Sequence, residues 1–306
     1  MAAMRLVDRY AGLLERLTAE TQAQYGRRLV ALAVFGSVGR GTPREDSDVD
    51  LLVVARALPD SRPARREEFA AVERRLGEAL RGVAGDGRPT FLSPVLKTPE
   101  EVELGSPLFH DMVEDARILY DPEGFLGGYL ERLREELARR GARRVPWGGG
   151  WYWDLRPEPV RSVTVSMTRE TLAQSYLRKA RSRLKALEVL RADGDHSDVV
   201  REAQELVELA LKAMLRSVGV DPPKFHDVGP LLLEHRDRFA PDVAGALARA
   251  AEISGELRKD RELAMYGDVD FIPTERYSAE QAARAYEDAA WVLELAERAV
   301  GGPSGR

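Results

Sequence analysis

Between Val34 and Val54 the chain reads VFGSVGRGTPREDSDVDLLVV, and this stretch restricts the possible folds more than any other. An apolar run from Ala31 to Phe35 stops at Gly36-Ser37, with Gly39 and Gly41 close behind. A second apolar run, Leu51 to Val54, is entered through Asp48-Val49-Asp50. The pattern predicts two short buried strands joined by a glycine-rich turn. Residues two apart on a strand share a face, so Asp48 and Asp50 stand side by side while Val49 points into the apolar layer. Two carboxylates held so close repel unless a cation lies between them. Oxygen-only ligation with open positions suits Mg2+ (or Mn2+), commonly shared with substrate phosphates. Aspartate is frequent in turns that enter strands but disfavoured inside them, so a D-x-D motif leading into four apolar residues calls for a reason. The amides of the glycine turn and the Ser37 hydroxyl are candidates to hold phosphate oxygens. A glycine-rich turn alone is equally the mark of an ordinary tight turn.

Gly36-Ser37, ten residues, then Asp48-Val49-Asp50 resembles the G-S-x10-D-x-D signature of nucleotidyltransferases related to DNA polymerase β. The elements Gly36-Ser37-Val38-Gly39-Arg40-Gly41 and Ser47-Asp48-Val49-Asp50-Leu51 are most similar to the minimal and kanamycin-nucleotidyltransferase-like branch. The resemblance implies Mg-dependent transfer of a nucleoside monophosphate, first of all AMP from ATP, to a hydroxyl acceptor with release of pyrophosphate. It implies Asp48 and Asp50 as catalytic and metal-holding residues, and Gly36, Ser37 and Arg40 as nucleotide-binding residues. Such enzymes usually carry a third acidic residue on a neighbouring strand. Here the stretch Arg88 to Val95 carries none, and Asp86, Glu100 and Glu101 only flank it. That gap keeps open a second reading, a catalytically weak nucleotide-binding regulator, antitoxin-like, that acts through a partner.

Around this stretch the periodicity predicts an α+β domain, a small mixed sheet with helices, over 1–145. Apolar positions at helical spacing (Leu6, Tyr10, Leu13, Leu14, Leu17) predict a first helix. Phe69, Val72, Leu76 and Leu80 mark another helix over 63–80, and Thr90 to Leu96 reads as a third strand. A Gly- and Pro-rich segment with three tryptophans, Trp147, Trp151 and Trp153, reads as a linker over 146–167, pinned to one domain or offering a stacking surface.

From 168 to 300 the pattern is helical throughout and predicts an all-α bundle of four or five helices. It resembles the HEPN helical domain through Glu205 to Lys212, His226-Asp227, Arg258 to Arg261 before Tyr266-Gly267, and Tyr277 to Glu280. Ribonuclease members of that family carry a histidine four to six residues after an arginine. Here Ala264 and Met265 stand where it belongs, so the resemblance implies a binding wall rather than a nuclease. Arg178, Lys179, Arg181, Arg183 and Lys185 form a basic run on one helix, a solvated face or a cradle for a polyanion.

A length of 306 residues suits two domains, and 44% hydrophobic residues can build two cores. A net charge of −5 gives no global field to attract nucleic acid. The absence of cysteine excludes disulfides and thiolate metal sites. No asparagine, scarce glutamine and many charges are the composition of a thermophile protein. No apolar run reaches membrane-spanning length, so the expected location is the cytoplasm. The expected partners are a nucleoside triphosphate, an acceptor left open among small molecule, protein and RNA end, and a second copy in a homodimer.

Overall fold

The computed structural model describes residues 6–44, 47–83, 90–148, 150–155, 163–223, 228–266 and 277–301. They divide into two compact units, Met1–Arg139 and Arg140–Arg306.

In the first unit α1 (Leu6–Tyr25) leads into β1 (Leu29–Phe35), a single helical turn α2 (Gly36–Gly39) and β2 (Val49–Ala55). Helices α3 (Arg62–Arg75) and α4 (Gly77–Val83) precede β3 (Leu92–Lys97). Then come α5 (Pro99–Glu103), α6 (Leu108–Asp115), β4 (Arg117–Tyr120) and α7 (Phe125–Arg139). The sheet order is β3-β2-β1-β4, with β1 antiparallel to β2 and β4, and β2 parallel to β3. The mixed sheet follows from the connections: the return over 36–48 lays β2 antiparallel beside β1, while the helical crossover from β2 to β3 permits parallel pairing. Alternation along β2 sends Val49, Leu51, Val53 and Ala55 into a core with Tyr10, Leu13, Leu14 and Leu17 of α1 and Phe69 and Val72 of α3. Asp50, Leu52 and Val54 therefore face the other side. The helix expected over 63–80 is divided at Leu76, which caps α3 just before α4 begins.

The second unit contains β5 (Arg143–Trp147), β6 (Gly150–Asp154), α8 (Val163–Asp193), α9 (His196–Ser217), β7 (Val220–Asp221), α10 (Gly229–Glu234), α11 (Pro241–Tyr266) and α12 (Ala279–Gly301). Its core is built from Leu177, Ala180 and Leu187 of α8, the whole inner face of α9, Leu247 and Ile253 of α11, and Val292 and Leu295 of α12.

At the junction between the units the structure differs from the sequence expectation. The boundary falls after Arg139, and residues 143–154 form not a linker but a hairpin belonging to the second unit. The bundle itself is helical as expected, and β5, β6 and β7 add a small antiparallel sheet to the unit. The physical reason is local. Trp147 pairs with Gly150, so only two residues close the turn, and Gly148 adopts φ +54, the left-handed conformation such turns require. Tyr152 and Trp147 then pack on the helical core, and Trp151 carries the Arg144 guanidinium 3.5 Å above its ring. Two members of the basic run on α8 pair within the unit, Arg181 with Glu297 and Arg183 with Glu202 and Glu205. Of the residues that carry the HEPN resemblance, His226, Asp227 and Gly267 and the side chains of Arg261 and Tyr266 lie outside the described residues.

Candidate nucleotide and metal site

The site lies where β1 ends and β2 begins. Phe35, the last residue of β1, pairs with Asp50, and Asp50 pairs on its other side with Ser93 of β3. A central strand thus carries Asp50 half-buried, while Asp48, just before β2, is exposed. At the end of β1 the chain turns through Gly36 with φ +67, a conformation that glycine adopts without cost. A Cβ at Gly36 would overlap Asp50 Oδ2, so the bare backbone here is what lets the carboxylate sit against the turn. Gly39 is enclosed as tightly: a Cβ would stand 2.5 Å from the Asp115 carbonyl oxygen and 2.9 Å from that of Val34.

The turn is closed by its own backbone. The amide of Arg40 donates to the Gly36 carbonyl (3.1 Å) and that of Thr42 to the Ser37 carbonyl (2.9 Å). Arg40 reaches across to Asp115 at the end of α6, donating to Oδ2 at 2.6 Å, and the Asp115 side chain is only 4% exposed. A carboxylate so buried requires its cation, which fixes the arginine as part of the scaffold. Beyond it opens a cleft of about 490 Å³ lined by Ser37, Arg40, Thr42, Arg44 and Ser47. Its far wall is a tight turn: the Ser47 amide donates to the Arg44 carbonyl at 3.2 Å, and the Arg44 amide to Ser47 Oγ at 2.8 Å.

The structure therefore brings Gly36 and Asp50 together, and sets Ser37 and Arg40 on the wall of one cleft. Sequence reasoning missed Thr42, Arg44 and Asp115. Thr42 and Arg44 sit in a polar excursion with no periodicity. Asp115 lies 75 residues from Arg40, and nothing local in the sequence links the two.

Among the described residues no group of three or more His, Cys, Asp and Glu side chains converges on a point that could hold a metal. The donor set that is present, the Asp50 carboxylate at the head of β2 with Asp48 two residues before it, near a cleft of hydroxyls and arginines, fits Mg2+, an ion that keeps several waters and takes its remaining ligands from substrate phosphates. On β3 the register partner of Asp50 is a serine, and the strand LSPVLK contains no carboxylate.

A nucleotidyltransferase domain matches residues 14–81, which contain every strand and turn of this site except β3. A HEPN domain matches residues 173–299. The chain belongs to the nucleotidyltransferases, as an enzyme in which the nucleotidyltransferase domain precedes a HEPN domain. Over 129 residues, 42% of this chain and 82% of the relative, it is 32% identical to a Methanocaldococcus jannaschii protein named "Putative protein adenylyltransferase MJ1305". Similar solved structures include a toxin-antitoxin with AMP-PNP, at 19% identity over 42% of this chain and 92% of that chain, with a TM-score of 0.29. Another is the spectinomycin adenyltransferase AAD(9) from Enterococcus faecialis with ATP and spectinomycin, at 9% identity over 94% of this chain and 99% of that chain, with a TM-score of 0.39. Among the described residues no helix is long and apolar enough to cross a membrane.

Proposed function

We propose that the chain transfers AMP from ATP to a hydroxyl of a protein acceptor and releases pyrophosphate. The observation that carries this reading is the Asp50 carboxylate seated against Gly36, the neighbour in the chain of Ser37, which lines the cleft. The choice of AMP and of a protein acceptor rests on the name of the M. jannaschii relative. In the reaction the acceptor oxygen forms a bond to the α-phosphorus. The bond from that phosphorus to the bridging oxygen breaks, and the hydroxyl proton passes to water. Asp48 and Asp50 would hold Mg2+, which when bound offsets the charge on the α-phosphate and the leaving group. Ser37, Thr42 and Ser47 present hydroxyls, and Arg44 a guanidinium, to the terminal phosphates. Gly36 keeps the backbone open for their approach, and Arg40, held on Asp115, adds positive charge beside them.

Incubation with α-labelled ATP, Mg2+ and a lysate of the source cells tests this directly. Label should appear on protein with the wild type and fall at least about 100-fold with Asp48→Ala or Asp50→Ala. Label on no protein, despite Mg-dependent ATP binding, would sink the transferase reading. That outcome would instead support the nucleotide-binding regulator, which the carboxylate-free β3 favours.

A further inference from the structure

The first helix, α1, carries an inward stripe of Tyr10, Leu13, Leu14 and Leu17, each at most 3% exposed. Packing alone would be met by phenylalanine at position 10. The tyrosine adds a hydroxyl, and that hydroxyl does not end in the core. It donates to the backbone carbonyl of Ser47 at 2.8 Å and lies 3.5 Å from that of Arg44. These are the two residues whose mutual hydrogen bonds close the far wall of the cleft, and Asp48 follows directly. We infer that Tyr10 is a positioning residue for the nucleotide site: its hydroxyl latches the Arg44–Ser47 turn to α1 and so sets both the cleft wall and the entry of Asp48 into β2.

This rests on the nucleotide reading of the cleft, and the physical logic is one of restraint. The turn is exposed at Arg44 and half-exposed at Ser47, so few packing contacts hold it. A loop tethered by hydrogen bonds alone opens at low free energy. A buried donor anchored in a helix supplies a fixed point on its inner side, and removing one such bond is felt as a factor of about 5 to 10 in the equilibrium it biases. A pre-set turn spares the nucleotide the cost of ordering it on binding.

The test is Tyr10→Phe in the full chain, which retains the ring and removes only the hydroxyl. Two readouts are taken: amide hydrogen exchange over residues 44–48 without nucleotide, and affinity for α,β-methylene ATP, which cannot transfer AMP, across a Mg2+ titration. Exchange at Arg44 and Ser47 should quicken about tenfold. The dissociation constant should rise about 5- to 10-fold with a higher Mg2+ requirement, while Tm falls by no more than about 4 °C. Unchanged exchange at the turn overturns the latch. Faster exchange with unchanged nucleotide affinity overturns its role in the site, as does an affinity loss that Mg2+ concentration does not alter. Failure of the wild type itself to bind α,β-methylene ATP would bring down the nucleotide reading, and the role with it.

Discussion

A methyl group at position 36 would do two kinds of harm. It would force an L-residue into φ +67, at a cost of about 1–2 kcal/mol, and it would collide with Asp50 Oδ2. Gly36→Ala is therefore expected to lower transfer on the order of 100-fold or more while shifting Tm by only about 5 °C, read by label transfer and thermal melts. Equal losses in the two readouts would mean that the glycine serves the fold alone. Ser93 sets the opposite experiment. It pairs with Asp50 across the β2–β3 register, beside the carboxylate proposed to hold Mg2+. Ser93→Asp should raise the transfer rate about tenfold or more, with the steepest gain below pH 8, where an unaided hydroxyl gives up its proton least readily. No gain at any pH would show that the acceptor brings its own base. At this scale the sequence was legible where residues sit at fixed short spacing: Gly36 at the end of β1 and Asp50 at the head of β2 follow from the two apolar runs that flank them. The Arg40–Asp115 pair was not legible, because only the folded sheet brings α2 beside the end of α6.

The tryptophan-rich hairpin shows the same contrast for an element. Composition suggested a connector, because the segment is rich in glycine and proline. The signal that decides is positional instead: two glycines between Trp147 and Gly150, with bulky residues on both sides, is the mark of a two-residue hairpin. Bulk composition hides that order. Beside the packing of Tyr152 and Trp147, charged pairs fasten the hairpin to the bundle. Asp154, fully buried, accepts hydrogen bonds from both terminal nitrogens of Arg238 at 2.9 Å, and Arg143 lies 3.6 Å away. The tip of Tyr152 donates to Glu234 at 3.0 Å. Burial of the phenol, with that hydrogen bond second, pushes the Tyr152 ionisation well above the ordinary tyrosine range. Asp154→Ala would strand the Arg238 guanidinium, half of a buried pair, and should cost the second unit about 3–5 kcal/mol in urea unfolding. A loss below about 1 kcal/mol would mean that Arg238 finds water once the partner is gone.

For the whole molecule, the two units hold separate cores, one built on a sheet and one on packed helices. Each meets the minimum for independent folding, so the fragment 140–306 should fold alone and the full chain should unfold in two steps. One histidine labels which step is which. His235 is 5% exposed and meets the Tyr152 ring edge-on at 5.5 Å. Burial lowers its proton affinity first and the charge of Arg238 second, against the opposing pull of Asp154, Glu234 and Asp237. The folded state therefore holds this imidazole neutral below the pH at which the unfolded chain, with a pKa of about 6.5, has already taken the proton. Stability from this group is complete above the unfolded value and is lost as pH falls towards the folded one. Melts of the full chain from about pH 7.5 to 5 should lower the Tm of one transition only, and the isolated 140–306 fragment should show the same slope. His235→Gln, neutral throughout, should flatten that slope in both while leaving the other transition where it was. A slope that survives the substitution would move the titration to another group, and a slope shared by both transitions would show that the units do not unfold independently.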